Sequence, residues 1–141
     1  MFRLSRAAEY AIRGILYLSS KPDFEVCCIE EVAKAQDMPS PYLAKLFQSL
    51  VKKGYMRSFR GTGGGFALAK EPKDITLLEI IETIEGNMFL NECMIREGYC
   101  RNDASCPVHR VWKNAQRMFL DYLGRCTFEE LAAQTLEKEM I

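Results

Sequence analysis

"SPYLAKLFQSLVKKGYMRSFRGTGGGFALAK", residues 40–70, changes periodicity at Gly54. Before it, Leu43, Leu46, Phe47, Leu50 and Val51 recur at the three-and-four spacing of a helix buried on one face. Ser40 reads as its N-cap, Pro41 as its first helical residue and Gly54 as its stop. After it, residues 55–59 (YMRSF) and 66–70 (FALAK) read as two short strands joined by RGTGGG, residues 60–65. A glycine-rich hairpin directly after a helix makes a wing, because bare glycine backbone can approach a phosphate surface closely. The outward residues of the helix are Tyr42, Lys45, Gln48, Ser49 and Lys52, the donors, acceptors and aromatic that groove reading needs. Helix 40–53 alone is equally a solvated face; the hairpin favours DNA. The candidate DNA surface is therefore Ser40, Tyr42, Lys45, Gln48, Ser49 and Lys52, with Arg60, Gly61, Thr62 and Gly63 at the wing tip. Arg60 suits a minor groove, where the potential is most negative. Nucleotide binding by GTGGG is disfavoured: Phe66 stands where the third glycine of the dinucleotide fingerprint belongs, a strand follows, and no Gly-Lys-Ser/Thr is present.

Upstream, helices are expected over residues 5–20 (Ala8, Ile12, Ile15 and Leu16 on one face) and 29–36 (Ile29, Val32, Ala33). A tight turn, QDMPS, then leads into the helix at 40, which completes a helix-turn-helix. Downstream, Thr76 and Glu79 form a capping box opening a fourth helix that ends at Gly86. No period organises residues 87–106. Pro107 opens a fifth helix with an apolar stripe of Val111, Trp112, Ala115, Met118, Phe119, Tyr122 and Leu123, ended by Gly124. Thr127 and Glu130 start a short last helix carrying Leu131 and Leu136. The fold class expected is mainly α with a small β-hairpin. Residues 1–75 form a winged helix-turn-helix domain. Residues 76–141 hold helix four, a cysteine-rich loop (87–106), a dimerisation helix (107–123) and the last helix. A stripe that wide needs a partner surface, and a self-paired helix five makes a two-fold dimer, suited to a palindromic site.

The net charge is zero, yet residues 1–70 carry 11 Lys/Arg against 6 Asp/Glu and residues 71–141 carry 8 against 13. Six basic residues and no acidic one lie between Asp37 and Glu71. A basic first half suits a polyanion. No run of 18 apolar residues is present, so a membrane span is not expected. The start, MFRLSRAAEYAIRGILYLSS, is broken by Glu9 and Arg13 and reads as an amphipathic helix rather than a signal peptide. A cytoplasmic location is expected. In a reducing compartment, six cysteines point to metal or redox chemistry before disulfides.

Three of those cysteines and the single histidine fall within residues 93–109, spaced Cys93-x6-Cys100-x5-Cys106-x2-His109. Only Cys106 and His109 have the close spacing usual for structural zinc. Three thiolates and one imidazole suit either zinc or a [2Fe–2S] cluster of mixed ligation. Of the adjacent Cys27 and Cys28, one should be buried and the other partly exposed, while Cys126 reads as core or edge.

With wing and cysteine loop together, the chain resembles the IscR/NsrR type of bacterial winged-helix transcription regulators. The likeness spans nearly the whole chain: RLSRAAEYAIRGILYL (3–18), the quoted stretch 40–70, ITLLEIIETIEG (75–86) and CPVHRVW (106–112). The resemblance implies a homodimer with crossing fifth helices, wings that touch a DNA operator, and a [2Fe–2S] cluster held by Cys93, Cys100 and Cys106 that sets operator affinity, in a repressor sensing redox, nitric oxide or iron–sulfur status. For the fourth ligand it offers two residues. Relatives of the IscR type use a histidine just past the third cysteine, here His109; nitric-oxide sensors use an acidic residue of the partner chain's first helix, here Glu9. His109 ranks first, since it needs no second chain. The six-residue first spacing departs from the five associated with IscR, which leaves zinc or thiol sensing without a cluster as an alternative on the same frame. An iron–sulfur electron carrier is the alternative of another class, but it needs neither wing nor basic helix. An enzyme is not expected: the one histidine is claimed by the loop, and no catalytic dyad or triad can be assembled.

Overall fold

The computed structural model describes the backbone of residues 3–140 and the side chains of residues 3–135. Helix α1 (Arg6–Ser19) opens on Ser5, whose hydroxyl oxygen accepts from the Ala8 N–H at 3.1 Å. It buries Ala8, Ala11, Gly14, Ile15 and Leu18. Helix α2 (Ile29–Ala35) buries Val32 and Ala33, and α3 (Ser40–Lys52) buries Leu43, Leu46, Phe47 and Leu50. The start of α3 differs by one residue from the sequence expectation. Pro39 holds the cap position in extended conformation, Ser40 is already helical, and its side chain makes no capping bond.

Gly14 sets how closely α3 approaches α1. A Cβ there would lie 2.3 Å from Cε1 of Phe47, so only glycine leaves room for the ring. Phe47, fully buried, then meets Phe66 edge-on at 5.2 Å between centroids. That contact joins α3 to the hairpin.

Strands β1 (Met56–Phe59) and β2 (Gly65–Leu68) pair antiparallel, with Met56 opposite Leu68 and Phe59 opposite Gly65. Residue 55, expected inside the first strand, lies just outside it, though its carbonyl still accepts from the Ala69 N–H at 2.9 Å. Cys27 joins the hairpin through an isolated antiparallel bridge, exchanging bonds of 2.9 and 2.8 Å with Phe66. Its carbonyl passes so close that a Cβ on Gly65 would sit 2.2 Å from it.

Helix α4 (Leu77–Glu85) has the complete capping box: Thr76 Oγ1 accepts from the Glu79 N–H at 3.2 Å, and Glu79 Oε2 accepts from the Thr76 N–H at 2.9 Å. Gly86 ends it at φ 80°. Residues 87–106 follow as turns with one 3-10 turn, Glu92–Met94. Helix α5 runs Pro107–Leu123 and α6 Phe128–Met140. The last helix is thus longer than a short one; the side chain expected of Leu136 lies outside the described residues.

Between α5 and α6 the chain returns to its first half. Leu77 N–H donates to the Cys126 carbonyl at 2.8 Å, and Phe128 N–H to the Ile75 carbonyl at 3.0 Å. Phe128 is wholly buried in the main core, beside Ile15, Phe47, Leu50, Ile75 and Ile80. Helices α4 and α6 therefore complete a core that helices one to three do not close alone. A second cluster, Ile81, Met88 and Leu123 with Phe119 and Leu120, seats the C-terminal half of α5 on α4. Among the described residues, no helix is long and apolar enough to cross a membrane.

Candidate DNA-binding surface and cysteine cleft

Because the inner face of α3 is consumed by the core, its other residues must face out. Tyr42, Lys45, Gln48, Ser49 and Lys52 are exposed and Ser40 is half-buried. The Tyr42 ring leans edge-on against Tyr10 of α1, centroids 5.6 Å apart, which limits its swing. Ser49 turns its hydroxyl back to the Lys45 carbonyl at 3.4 Å, so its oxygen remains available as an acceptor. In the wing, Arg60, Gly61, Thr62 and Gly63 are all exposed. Gly61 and Gly63 have φ of 85° and 78°, which any side chain would strain, and Gly64 N–H closes the tip onto the Gly61 carbonyl at 2.9 Å.

The second candidate site is a cleft of about 690 Å³ at the N-terminal end of α5. Cys93, Cys100, Cys106 and His109 all line it. Their positions follow from local turns. Cys93 sits in the 3-10 turn capped by Asn91, whose Nδ2 also donates to Cys93 Sγ at 3.6 Å. The Cys100 carbonyl accepts from the Asp103 N–H at 3.2 Å. Cys106 is the cap residue of α5, its N–H donating to the Asn102 carbonyl at 2.7 Å, and His109 lies in the first turn. The histidine is half-buried: its side chain is 19% exposed, with Nδ1 3.7 Å from Oδ1 of Asp103. Arg96, Arg101, Arg110 and Lys113 line the same cleft against Glu97 and Asp103. With the positive end of α5, that excess of cations suits an anionic occupant.

All six cysteines are free thiols. Among the described residues, no three His, Cys, Asp or Glu side chains converge closely enough to hold one metal ion. Glu9 is exposed on α1 and does not line the cleft of its own chain. Away from the cleft, Cys27 is buried and Cys28 exposed, as their alternation requires. Burial, then the nearby Glu31 and Glu25 carboxylates, push the Cys27 thiol up to about 12. It is therefore no thiolate at neutral pH. Cys126 is half-buried, its Sγ against the Tyr122 carbonyl at 3.3 Å.

The apolar stripe of α5 is covered only in part. Phe119, Leu120 and Leu123 pack on α4. Val108, Val111, Trp112, Met118 and Tyr122 are exposed, Met118 by 67%. Sequence reasoning missed two polar residues. Gln116 takes the Leu90 N–H on its Oε1 at 3.0 Å, and Asp103 is carried by the loop into the cleft. Asp103 has no sequence signal beyond lying between the candidate ligands, and Gln116 has none.

A family model for Rrf2, described as "Iron-dependent Transcriptional regulator", matches residues 4–134. The HTH-type transcriptional regulator NsrR of Shouchella clausii is 30% identical over 130 residues, 92% of this chain and 87% of that one. CymR, the global cysteine regulator of B. subtilis, superposes with a TM-score of 0.75 at 25% identity, covering 95% of this chain and 98% of the other. IscR of T. potens gives a TM-score of 0.78 at 24% identity, covering 99% and 93%.

Proposed function

The chain belongs to the Rrf2 family of transcriptional regulators, and from that premise we propose that it is a homodimeric repressor of a palindromic operator, its grip set by a [2Fe–2S] cluster in the cysteine cleft. Membership in a family of DNA-binding regulators, not enzymes, supplies the frame. The observation that carries the finer reading is the convergence of Cys93, Cys100, Cys106 and His109 on one cleft at the root of α5.

The donor set fits the group. Three thiols and one imidazole line a cleft with surplus positive charge, and a cluster bound by three thiolates is anionic. Zinc needs all four donors on one point. A two-iron cluster takes two donors per iron, so it does not ask all four to meet at one point. When bound, such a cluster supplies a redox- and nitric-oxide-sensitive centre.

The chain's own residues transmit the result. Met88 packs beside Ile81 and Leu123, and Leu90 is bonded to Gln116, so the loop is tied to α5. Glu85, at the other end, accepts a hydrogen bond from the Ser5 N–H at the start of α1. The exposed apolar face of α5 is the surface a second copy would cover, and it sets the separation of the two α3 helices. A reordered loop then changes dimer geometry, misplacing one reading helix when the other is seated. A coupling of about 1–3 kcal/mol is enough to alter affinity 5- to 150-fold.

The test is anaerobic purification with an absorbance spectrum, iron, sulfide and zinc analysis, and a mobility shift of the loaded and emptied protein. Cys→Ala at any of the three loop positions should abolish the visible absorbance. A triple variant that keeps its iron refutes the ligand assignment. A second reading, thiol sensing without a cluster, is favoured by the six free cysteines. It predicts colourless, metal-free protein whose operator affinity follows oxidant.

A further inference from the structure

Among the described residues, two buried side-chain polar atoms lack a hydrogen-bond partner: Oδ1 of Asp103 and Nδ1 of His109. They face each other at 3.7 Å, on side chains 13% and 19% exposed. That gap is too long for a hydrogen bond, and closing it takes a movement of about 1 Å. A buried carboxylate oxygen that can only accept, facing a buried imidazole nitrogen that can donate, defines one bond that a proton on Nδ1 would complete.

We propose that Asp103 is the positioning residue for His109: its Oδ1 accepts from Nδ1–H, which fixes the imidazole tautomer and turns the bare Nε2 towards the ligand of the cysteine cleft. The inference rests on the reading of His109 as the fourth ligand. A neutral imidazole carries one proton, so a hydrogen bond that holds it on Nδ1 leaves the Nε2 lone pair free for a metal. Asp103 is itself held. Its Oδ2 accepts from the Gly98 N–H at 3.0 Å, and its own N–H donates to the Cys100 carbonyl at 3.2 Å. The segment that presents Cys100 and Cys106 thus also aims the histidine. Loss of loop order would release the thiolates and unlock the imidazole in one step. Carboxylates beside ligand histidines act this way in metal sites generally.

The chain has a single histidine, so its imidazole nitrogens can be observed without overlap. Long-range proton–nitrogen spectra of the full-length, metal-free protein at about pH 9, where imidazoles are neutral, should show the Nδ1–H tautomer. Asp103→Ala should shift the population to Nε2–H, and Asp103→Asn, whose amide oxygen accepts the same bond, should restore it. A wild-type spectrum dominated by Nε2–H overturns the proposal, whether or not the protein holds a cluster and whether or not the variants fold. In reconstituted protein, Asp103→Ala should speed iron loss to a chelator about 10- to 100-fold, with Asp103→Asn between it and wild type. In a His109→Ala background it should add nothing, and additive losses count against the positioning role. A wild-type protein that takes up no iron or sulfide refutes the cluster reading alone, and the tautomer still decides the role of Asp103.

Discussion

The N–H of Leu90 and the Oε1 of Gln116 meet at 3.0 Å across 26 residues of chain. This bond pins the first residues of the cysteine loop to the middle of α5, just before the stretch that packs on α4. Gln116→Leu keeps the bulk and removes the acceptor, leaving a part-buried N–H unpaired at a cost of about 1–3 kcal/mol. A fall in Tm of about 4 °C per kcal/mol should follow. The Leu90 amide should exchange faster with solvent, and the affinity gap between loaded and emptied protein should narrow. An unchanged gap would mean that the signal bypasses this contact.

The outward face of α5 offers a direct test of assembly. Val111 and Met118 are 64% and 67% exposed. A charge at either, as in Val111→Glu or Met118→Glu, would be buried unpaired by a second copy. Dimerisation should weaken at least about 100-fold, read by sedimentation equilibrium, while the circular dichroism of the single chain stays the same. Equal sedimentation for wild type and both variants would rule this face out as the dimer surface.

Two side chains should separate affinity from selectivity at the DNA. Lys45 on α3 is exposed and suits phosphate. Lys45→Ala should weaken all duplexes alike and reduce the salt slope by about 1. Arg60, at the wing tip, should matter most where the minor groove is narrow, so Arg60→Ala should lower the preference for A·T-rich flanks. A uniform loss for Arg60→Ala, with selectivity intact, would assign it to phosphate instead.

Cys27 and Cys28 should differ in reactivity despite being adjacent. Iodoacetamide at about pH 8 should label Cys28 and spare Cys27 in the folded protein, since only the thiolate attacks. The folded value of Cys27, about 12, lies above its ordinary 9.0. The stabilisation from keeping this thiol neutral is therefore complete below about pH 9 and is lost as the pH rises towards 12. Alkaline unfolding of Cys27→Ala should be less steep over that window, and identical profiles would dismiss the effect.

The parts legible in the sequence are those decided by neighbours in the chain. Thr76 and Glu79 announce their capping box because both partners lie within one turn. The wing announces itself because Gly61 and Gly63 are needed where φ is positive. The division of α5 was not legible: Phe119 and Met118 are both apolar, and only the position of α4 decides which is covered. The burial of Asp103 was hidden for the same reason. A carboxylate in a turn-rich loop reads as solvated until Gly98 and His109 close around it. The cysteines and His109 were found by chemistry rather than periodicity, and their common cleft needed the fold.

The clip of Leu77 on Cys126, with Phe128 driven into the core, makes everything from Gly86 to Gly124 a detour that leaves the DNA-reading body and comes back to the same spot. A detour pinned at both feet can gain or lose a residue cheaply, because closure entropy grows only with the logarithm of length. The extra residue between Cys93 and Cys100 is therefore easy to tolerate. Changes of length in residues 87–106 can thus be absorbed without disturbing the core that holds α3 and the hairpin.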